Sequence, residues 1–220
     1  MNLIDIKKQI PEKLFEILSK DIEELRPAQQ KAIKSGLLEG ENLLVCTPTA
    51  SGKTLIAELA MLNKILHHEG KAIYIVPLKS LATEKYNDFK KRYEATAKVA
   101  IAIGDLDSAD PYLEKYDIII CTSEKLDSLI RHHTPWLGKV KIIVIDEIHL
   151  LNDARRGPTL EILITLLRKL LPKVQILGLS ATIGNEKELA EWLDAKLVED
   201  GWRPVKLEKG ICFENKIEFY

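Results

Sequence analysis

The sequence predicts an α/β domain with a mostly parallel sheet and helices on both faces. Two observations carry that expectation. Six short runs rich in Ile and Val recur along the chain: NLLVC (42–46), AIYIV (72–76), KVAIAI (98–103), DIIIC (117–121), KIIVI (141–145) and VQILGL (174–179). They are continuous rather than alternating, as strands buried on both faces are. Helical patterns lie between most of them, and strand–helix alternation builds a parallel sheet.

Residues 11–20 read as a leading amphipathic helix and 27–38 as a second. The helix over 54–68 is apolar almost all round and stops at His67, His68 and Gly70. Helices over 80–93 and 123–132 follow the second and fourth strands. Pro158 suits the first turn of a helix over 158–171, and Pro172 marks its end. A last helix spans 186–193. Residues 202–220 hold strand-like pieces without a closing helix, so residues 1–200 are expected to form one domain, with 1–40 as its leading helices. Residues 201–220 are expected to be a linker into something further.

The chain has 220 residues and a net charge of −1, so nothing in the global charge attracts nucleic acid, and any such site is a local surface. Cys46, Cys121 and Cys212 are scattered and odd in number, which predicts free, buried thiols in a reducing compartment. The opening MNLIDIKKQIPEKLF is charged throughout and does not read as a signal peptide. No stretch approaches the ~20 apolar residues of a membrane span. A cytoplasmic protein is expected.

The stretch TPTASGKT (47–54) follows a strand and opens a helix, the context of a phosphate-binding loop. The loop Pro48-Thr49-Ala50-Ser51-Gly52 is expected to wrap phosphates with the backbone amides that follow Pro48, aided by the helix N-terminus. Gly52 lets the backbone approach, Lys53 supplies a charge for the β and γ groups, and Thr54 offers a hydroxyl to Mg²⁺. Threonine stands where the motif's first glycine belongs. Thr47 can fill that place at negative φ, with Pro48 biasing it toward an extended conformation.

IIVIDEIHLL ends another buried strand in Asp146 and Glu147. Two carboxylates at the mouth of a sheet are costly unless a cation sits there. Asp146 is the expected Mg²⁺ ligand, directly or through water, and Glu147 the expected base or positioner for an attacking water. His149 is placed for a relay to a neighbouring loop. His67, His68, His132 and His133 read as helix-end residues.

Loops after the C-terminal ends of parallel strands share one edge, where ligands bind. Here they read TPTASGKT, PLKSLA, GDLDS, TSEK, DEIH and SAT. Lys79, Ser80, Thr122, Ser123 and Lys125 have no nucleotide role in this reading. Such hydroxyls, lysines and helix starts hold a phosphodiester backbone, although Ser80 and Ser123 also suit helix capping.

Taken together, LRPAQQ, PTASGKT, YIVPLKSLATEKY, GDLDS, TSEKLDSLIR, DEIHLL, RRGPTLE, GLSATIGN and DGWRPVKLEKG resemble superfamily 2 DExH-box helicases, in the superkiller-type branch that includes archaeal DNA repair helicases. The resemblance covers nearly the whole chain as the first RecA-like P-loop NTPase domain. It implies ATP and Mg²⁺ as cofactors, with Gln29 recognising adenine and Pro27 shaping that segment. It also implies that Arg156 lies near the strand, and that Ser180 and Thr182 link hydrolysis to strand movement in contact with His149. Leu25 stands where family members often place an aromatic residue, so the adenine lacks that stacking partner here and Arg26 is the candidate replacement.

The activity implied is an ATP-dependent translocase that unwinds DNA in repair of stalled replication forks. Its partners would be single-stranded or forked nucleic acid, DNA favoured, and a second RecA-like domain of the full-length chain, in a monomer without a membrane. An RNA helicase of the same branch, or a nucleotide-dependent binding module without translocation, are the alternatives.

Overall fold

The computed structural model describes residues 1–104, 109–205, 208, 210–213 and 216–219. Seven strands form one sheet: β1 (Leu43–Cys46), β2 (Lys71–Val76), β3 (Val99–Ala102), β4 (Ile118–Thr122), β5 (Val140–Ile145), β6 (Gln175–Ser180) and β7 (Lys196–Glu199). Their order is β3-β4-β2-β5-β6-β1-β7, and every neighbouring pair is parallel. The helices are α1 (Glu12–Leu18), α2 (Pro27–Lys34), α3 (Lys53–Leu66), α4 (Lys79–Tyr93), α5 (Ser123–Arg131), α6 (Gly157–Leu170) and α7 (Glu186–Leu193).

Successive strand residues face opposite cores, which is why the runs were continuous. Tyr74, Ile142 and Val144 pack with Leu59 of α3 and Phe89 of α4, whereas Ile73, Ile143 and Ile145 pack with Leu126 of α5 and Leu163 of α6. The Tyr74 and Phe89 rings meet edge to face with centroids 5.4 Å apart. The phosphate-loop strand β1 and the acidic strand β5 flank β6, so their C-terminal ends open onto the same edge.

The six expected strands and seven expected helices are present. β7 was not expected: KLVE is short and largely exposed, and its pairing with β1 makes it a strand. α2 stops at Lys34, short of residue 38, where the Leu37 amide turns back to the Ala32 carbonyl at 3.2 Å. His67 and His132 cap the C-termini of α3 and α5, and His68 and His133 follow with φ of 58° and 50°. The strand-like tail forms a two-stranded antiparallel hairpin, β8 (Gly210–Phe213) with β9 (Lys216–Phe219).

The cysteines are free, with Cys46 and Cys121 buried. Cys212, expected to be buried, is exposed on the hairpin instead, because both flanking residues of its strand face solvent as well. Among the described residues no helix is long and apolar enough to cross a membrane.

Candidate active site

The phosphate loop is braced from the inside. Thr47 is fully buried, its Oγ1 lies 2.8 Å from Ser51 Oγ, and its amide donates to the Ser180 carbonyl at 3.2 Å. It has no positive φ, unlike Ala50 at 63° and Gly52 at 93°. The threonine in the first-glycine position therefore needs no left-handed backbone, and its hydroxyl ties the two ends of the loop together.

Gly52 caps α3 in a left-handed conformation that L side chains rarely adopt. A Cβ there would also sit 2.4 Å from Gln29 Nε2 and 3.2 Å from Arg26 Cδ. The close neighbours that demand a glycine in this structure are thus protein side chains of α2 and its cap. Gln29, expected at adenine, is buried and accepts the Arg26 amide through Oε1 at 2.8 Å, while Nε2 donates to the Gly52 carbonyl at 3.1 Å. It ties α2 to the phosphate loop. Arg26 adds a second tie, with Nη1 donating to the Ala50 carbonyl at 2.6 Å and its guanidinium 5.5 Å from the Trp202 ring centroid. Leu25 is in the core and stacks on nothing at the surface.

Lys53 Nζ donates back to the Thr47 and Pro48 carbonyls at 2.7 and 3.1 Å. Burial pushes its ammonium below the ordinary lysine range, and the charges of Glu147 and Asp146 pull it back up. The loop lysine and the acidic pair therefore share one electrostatic field across the sheet edge. Thr49 and Ala50 are exposed at the loop tip, while Pro48 and Ser51 are buried beneath them.

Asp146 is fixed by two donors, the Tyr74 hydroxyl to Oδ2 at 2.8 Å and the Glu147 amide to Oδ1 at 3.1 Å. Burial, then the charge of Asp146, raises the Tyr74 hydroxyl well above its usual range, so it stays a donor. Glu147 has a left-handed backbone, φ 52° and ψ 44°, and caps a short 3-10 turn, Ile148–Asn152. A non-glycine residue held there marks strain that packing must offset, as is frequent at functional positions. His149 Nδ1 lies 3.3 Å from Glu147 Oε2. The structure thus sets His149 against Glu147. Ser180 is fully buried beside Cys46, whose thiol is pushed up to about 11 chiefly by burial, and Thr182 is exposed.

Two hard oxygen donors, Thr54 Oγ1 and Asp146, suit Mg²⁺, which fills most of its coordination with phosphate and water and needs no protein cage. Among the described residues no group of three or more His, Cys, Asp or Glu could hold a metal by itself.

The expected strand-contact residues divide. Lys79 and Ser80 open α4 and are exposed, next to the exposed Leu78. Arg156 is half-exposed, and its backbone is set by Asp153, whose Oδ1 accepts the Arg155 and Arg156 amides at 2.9 Å each. Gly157 follows because a Cβ there would lie 2.2 Å from the Leu151 carbonyl oxygen. Asp146, Ser123 and Arg156 line one small pocket between the acidic loop, α5 and α6.

Lys125 is a correction. It is buried and paired with Asp110 at 2.8 Å, so its ammonium is spent inside the fold. Thr122 and Ser123 are buried too, and the cap of α5 is Thr122, whose Oγ1 accepts the Lys125 amide at 3.4 Å. Within GDLDS, residues 105–108 lie outside the described residues, as do parts of the DGWRPVKLEKG segment.

Sequence reasoning missed Tyr74 and Lys85. Tyr74 was detectable, since a polar-tipped aromatic in a strand buried on both faces must find a partner. Lys85, whose Nζ donates to Thr54 Oγ1 at 3.1 Å, carried no signal, because a lysine on a polar helix reads as solvated.

Residues 26–190 match the model of the DEAD/DEAH box helicase family. The chain is 59% identical over 207 residues to the ATP-dependent DNA helicase Hel308 of Pyrococcus abyssi, covering 94% of this chain and 28% of that protein. It is 54% identical over 217 residues to the protein of that name from Methanocaldococcus jannaschii, covering 94% of this chain and 18% of the relative. For that of Caldivirga maquilingensis the identity is 49% over 205 residues, covering 93% and 27%. The chain spans less than a third of the length of these relatives.

Proposed function

This chain belongs to the DEAD/DEAH box helicase family, and on that premise we propose that it is the first motor domain of an ATP-dependent DNA helicase. The observation that supports this most is the shared sheet edge: β1, which leads into the phosphate loop, and β5, which ends at Asp146 and Glu147, flank β6 and open to the same side. A cation that must meet phosphates and carboxylates that must meet a metal are held there together.

In this reading Lys53 exchanges the Thr47 and Pro48 carbonyls for β and γ phosphate oxygens, and the backbone amides of 49–54 surround the phosphates. Thr54 and Asp146 hold Mg²⁺, which when bound neutralises phosphate oxygens and orients the γ group. Tyr74 keeps Asp146 aimed by donating to the carboxylate oxygen. Glu147 orients the attacking water and accepts its proton, with His149 against its carboxylate. His149, Ser180 and Thr182 pass the state of the site toward the strand. Gln29 recognises adenine from α2, beside the phosphate loop that it braces.

Lys79, Ser80 and Arg156 supply the exposed strand-facing side, where contacts to phosphates position a strand without reading its bases. A second RecA-like domain of the full-length protein completes the site and contributes arginine to the transferring phosphate, in a monomer acting on single-stranded or forked DNA, with repair of stalled forks as its setting. Residues 201–220 are the linker to that domain.

The test is ATP hydrolysis by the full-length protein with no nucleic acid, with single-stranded DNA and with single-stranded RNA, beside displacement of a forked DNA duplex. Stimulation by DNA with duplex displacement is expected. Stronger stimulation by RNA would make it an RNA helicase, and no stimulation by either would make it a nucleotide-dependent binding module.

A further inference from the structure

Helix α4 sends one side chain into the nucleotide site. Lys85 lies on α4 and donates from Nζ to Thr54 Oγ1, on the first turn of α3, at 3.1 Å. An ammonium has three donors and no acceptor, so the Thr54 oxygen accepts and one of its lone pairs is committed to Lys85. That oxygen is the one assigned to Mg²⁺ above. An ammonium and a divalent cation crowding one half-buried hydroxyl repel strongly, because screening by water is weak there.

Lys85 also has a carboxylate within its electrostatic reach. Glu58 follows Thr54 by one turn on the same face of α3. It is buried and pinned from the last turn of α4, by the Tyr93 hydroxyl at 2.6 Å and Arg92 Nη1 at 3.1 Å, both to Oε2. Burial raises the Glu58 carboxyl above its usual range, and the charge of Lys85 acts against that shift, so the lysine already lies within its field. The amine thus donates to a hydroxyl that a metal needs, and a carboxylate that cannot leave stands one helical turn further along α3.

We propose that Lys85 is a positioning residue that occupies the Thr54 hydroxyl in place of the divalent cation and yields it toward Glu58 when the metal–nucleotide pair binds. This rests on the reading that Thr54 carries the metal. It gives α4, whose first residues are the exposed Lys79 and Ser80, a direct link to the metal position. Metal loading and the position of α4 then bias one another, as two coupled binding events must.

The experiment is calorimetric titration of ADP into the 220-residue chain, in EDTA and across a Mg²⁺ series, for the parent, Lys85→Met, Lys85→Arg and Thr54→Ala. For each variant the EDTA affinity is the reference, and the readout is the Mg²⁺ concentration that gives half of the affinity gain. Lys85→Met should lower that midpoint by about fivefold or more, since the competing cation is gone. Lys85→Arg should stay near the parent, because it keeps the charge, and Thr54→Ala should lose the Mg²⁺ gain. A Mg²⁺ gain in the parent with an unchanged midpoint in Lys85→Met would overturn the role of Lys85 and leave the site reading standing. So would a loss of EDTA affinity in Lys85→Met with no midpoint shift, the result of a purely structural contact. No Mg²⁺ gain in the parent would overturn both.

Discussion

Two lysines at opposite ends of the sheet are held in nearly the same way. Lys53 donates to the Thr47 and Pro48 carbonyls at the C-terminal edge. Lys71, first residue of β2, donates to the Glu114 and Tyr116 carbonyls at the other edge. Burial lowers both ammonium groups from the ordinary lysine value of 10.5. A clamp of two carbonyls and a depressed pKa therefore do not separate a working lysine from a structural one.

What separates them is what each faces. Lys71 pins a 3-10 turn, Pro111–Lys115, beside an ion pair of Lys139 with Glu114 at 2.7 Å, where the charges already have partners. Lys53 faces Asp146 and Glu147 across an edge where Ala50, Gly52 and Glu147 all hold positive φ. Its carbonyl partners belong to the loop that would receive a phosphate. One lysine closes a local structure, and the other is the one proposed to change partners when phosphate binds.

The largest effect should come from exchanging these roles. Lys53→Ala in the full-length protein should lower the hydrolysis rate about 10²–10³-fold, as loss of a group stabilising transition-state charge does. Lys71→Met should leave that rate within about twofold and instead lower the Tm of the 220-residue chain by about 5 °C, from lost charged hydrogen bonds. Steady-state hydrolysis and thermal melting check the pair, and a Lys71→Met rate loss as large as that of Lys53→Ala would break the comparison.

The next contrast is between the exposed Lys79, proposed to meet the strand, and the buried Lys125. Lys79→Glu should weaken binding of single-stranded DNA and reduce the slope of log affinity against log salt by about 1. Lys125→Met should leave that slope alone and destabilise the chain by about 3 kcal/mol, since Asp110 loses the cation facing it. Salt titrations of both variants decide it, with a slope change in Lys125→Met alone as the contrary outcome.

The smallest effect is a pH dependence. Lys53 titrates lower folded than unfolded, so between those two values the unfolded chain holds more protons and stability rises with pH. Below that window the folded chain bears the full cost of a buried ammonium. The Tm of the parent should therefore rise relative to that of Lys53→Met as pH goes from 7 toward 10, whatever the offset left by the lost carbonyl hydrogen bonds. A parent Tm that falls relative to Lys53→Met over that range would mean that the ammonium stabilises the fold.

Much of this was legible in the residues. The strands were visible because burial on both faces demands continuous apolar runs, and the phosphate loop because Gly52-Lys53-Thr54 must follow a strand and open a helix. β7 was not, since KLVE becomes a strand only through its neighbour β1. Lys125 was misplaced because a lysine near a helix start reads as exposed, whereas its pairing with Asp110 depends on where a distant loop returns. Gln29 and Arg26 were seen as nucleotide contacts, but their ties to Gly52 and Ala50 arise from the packing of α2 on the loop. Local chemistry could be read directly, while partners brought together by tertiary packing could not.

We propose a division of labour at the sheet edge, with Lys53 and the loop holding phosphate and Glu147 serving the attacking water. The direct test is Glu147→Gln in the full-length protein, with ATP affinity measured beside single-turnover hydrolysis. The amide keeps the shape of the side chain and cannot take a proton, so affinity should stay within about twofold while the rate falls about 10²-fold or more. Affinity falling in step with the rate would contradict the account, because Glu147 would then be holding the nucleotide rather than the water.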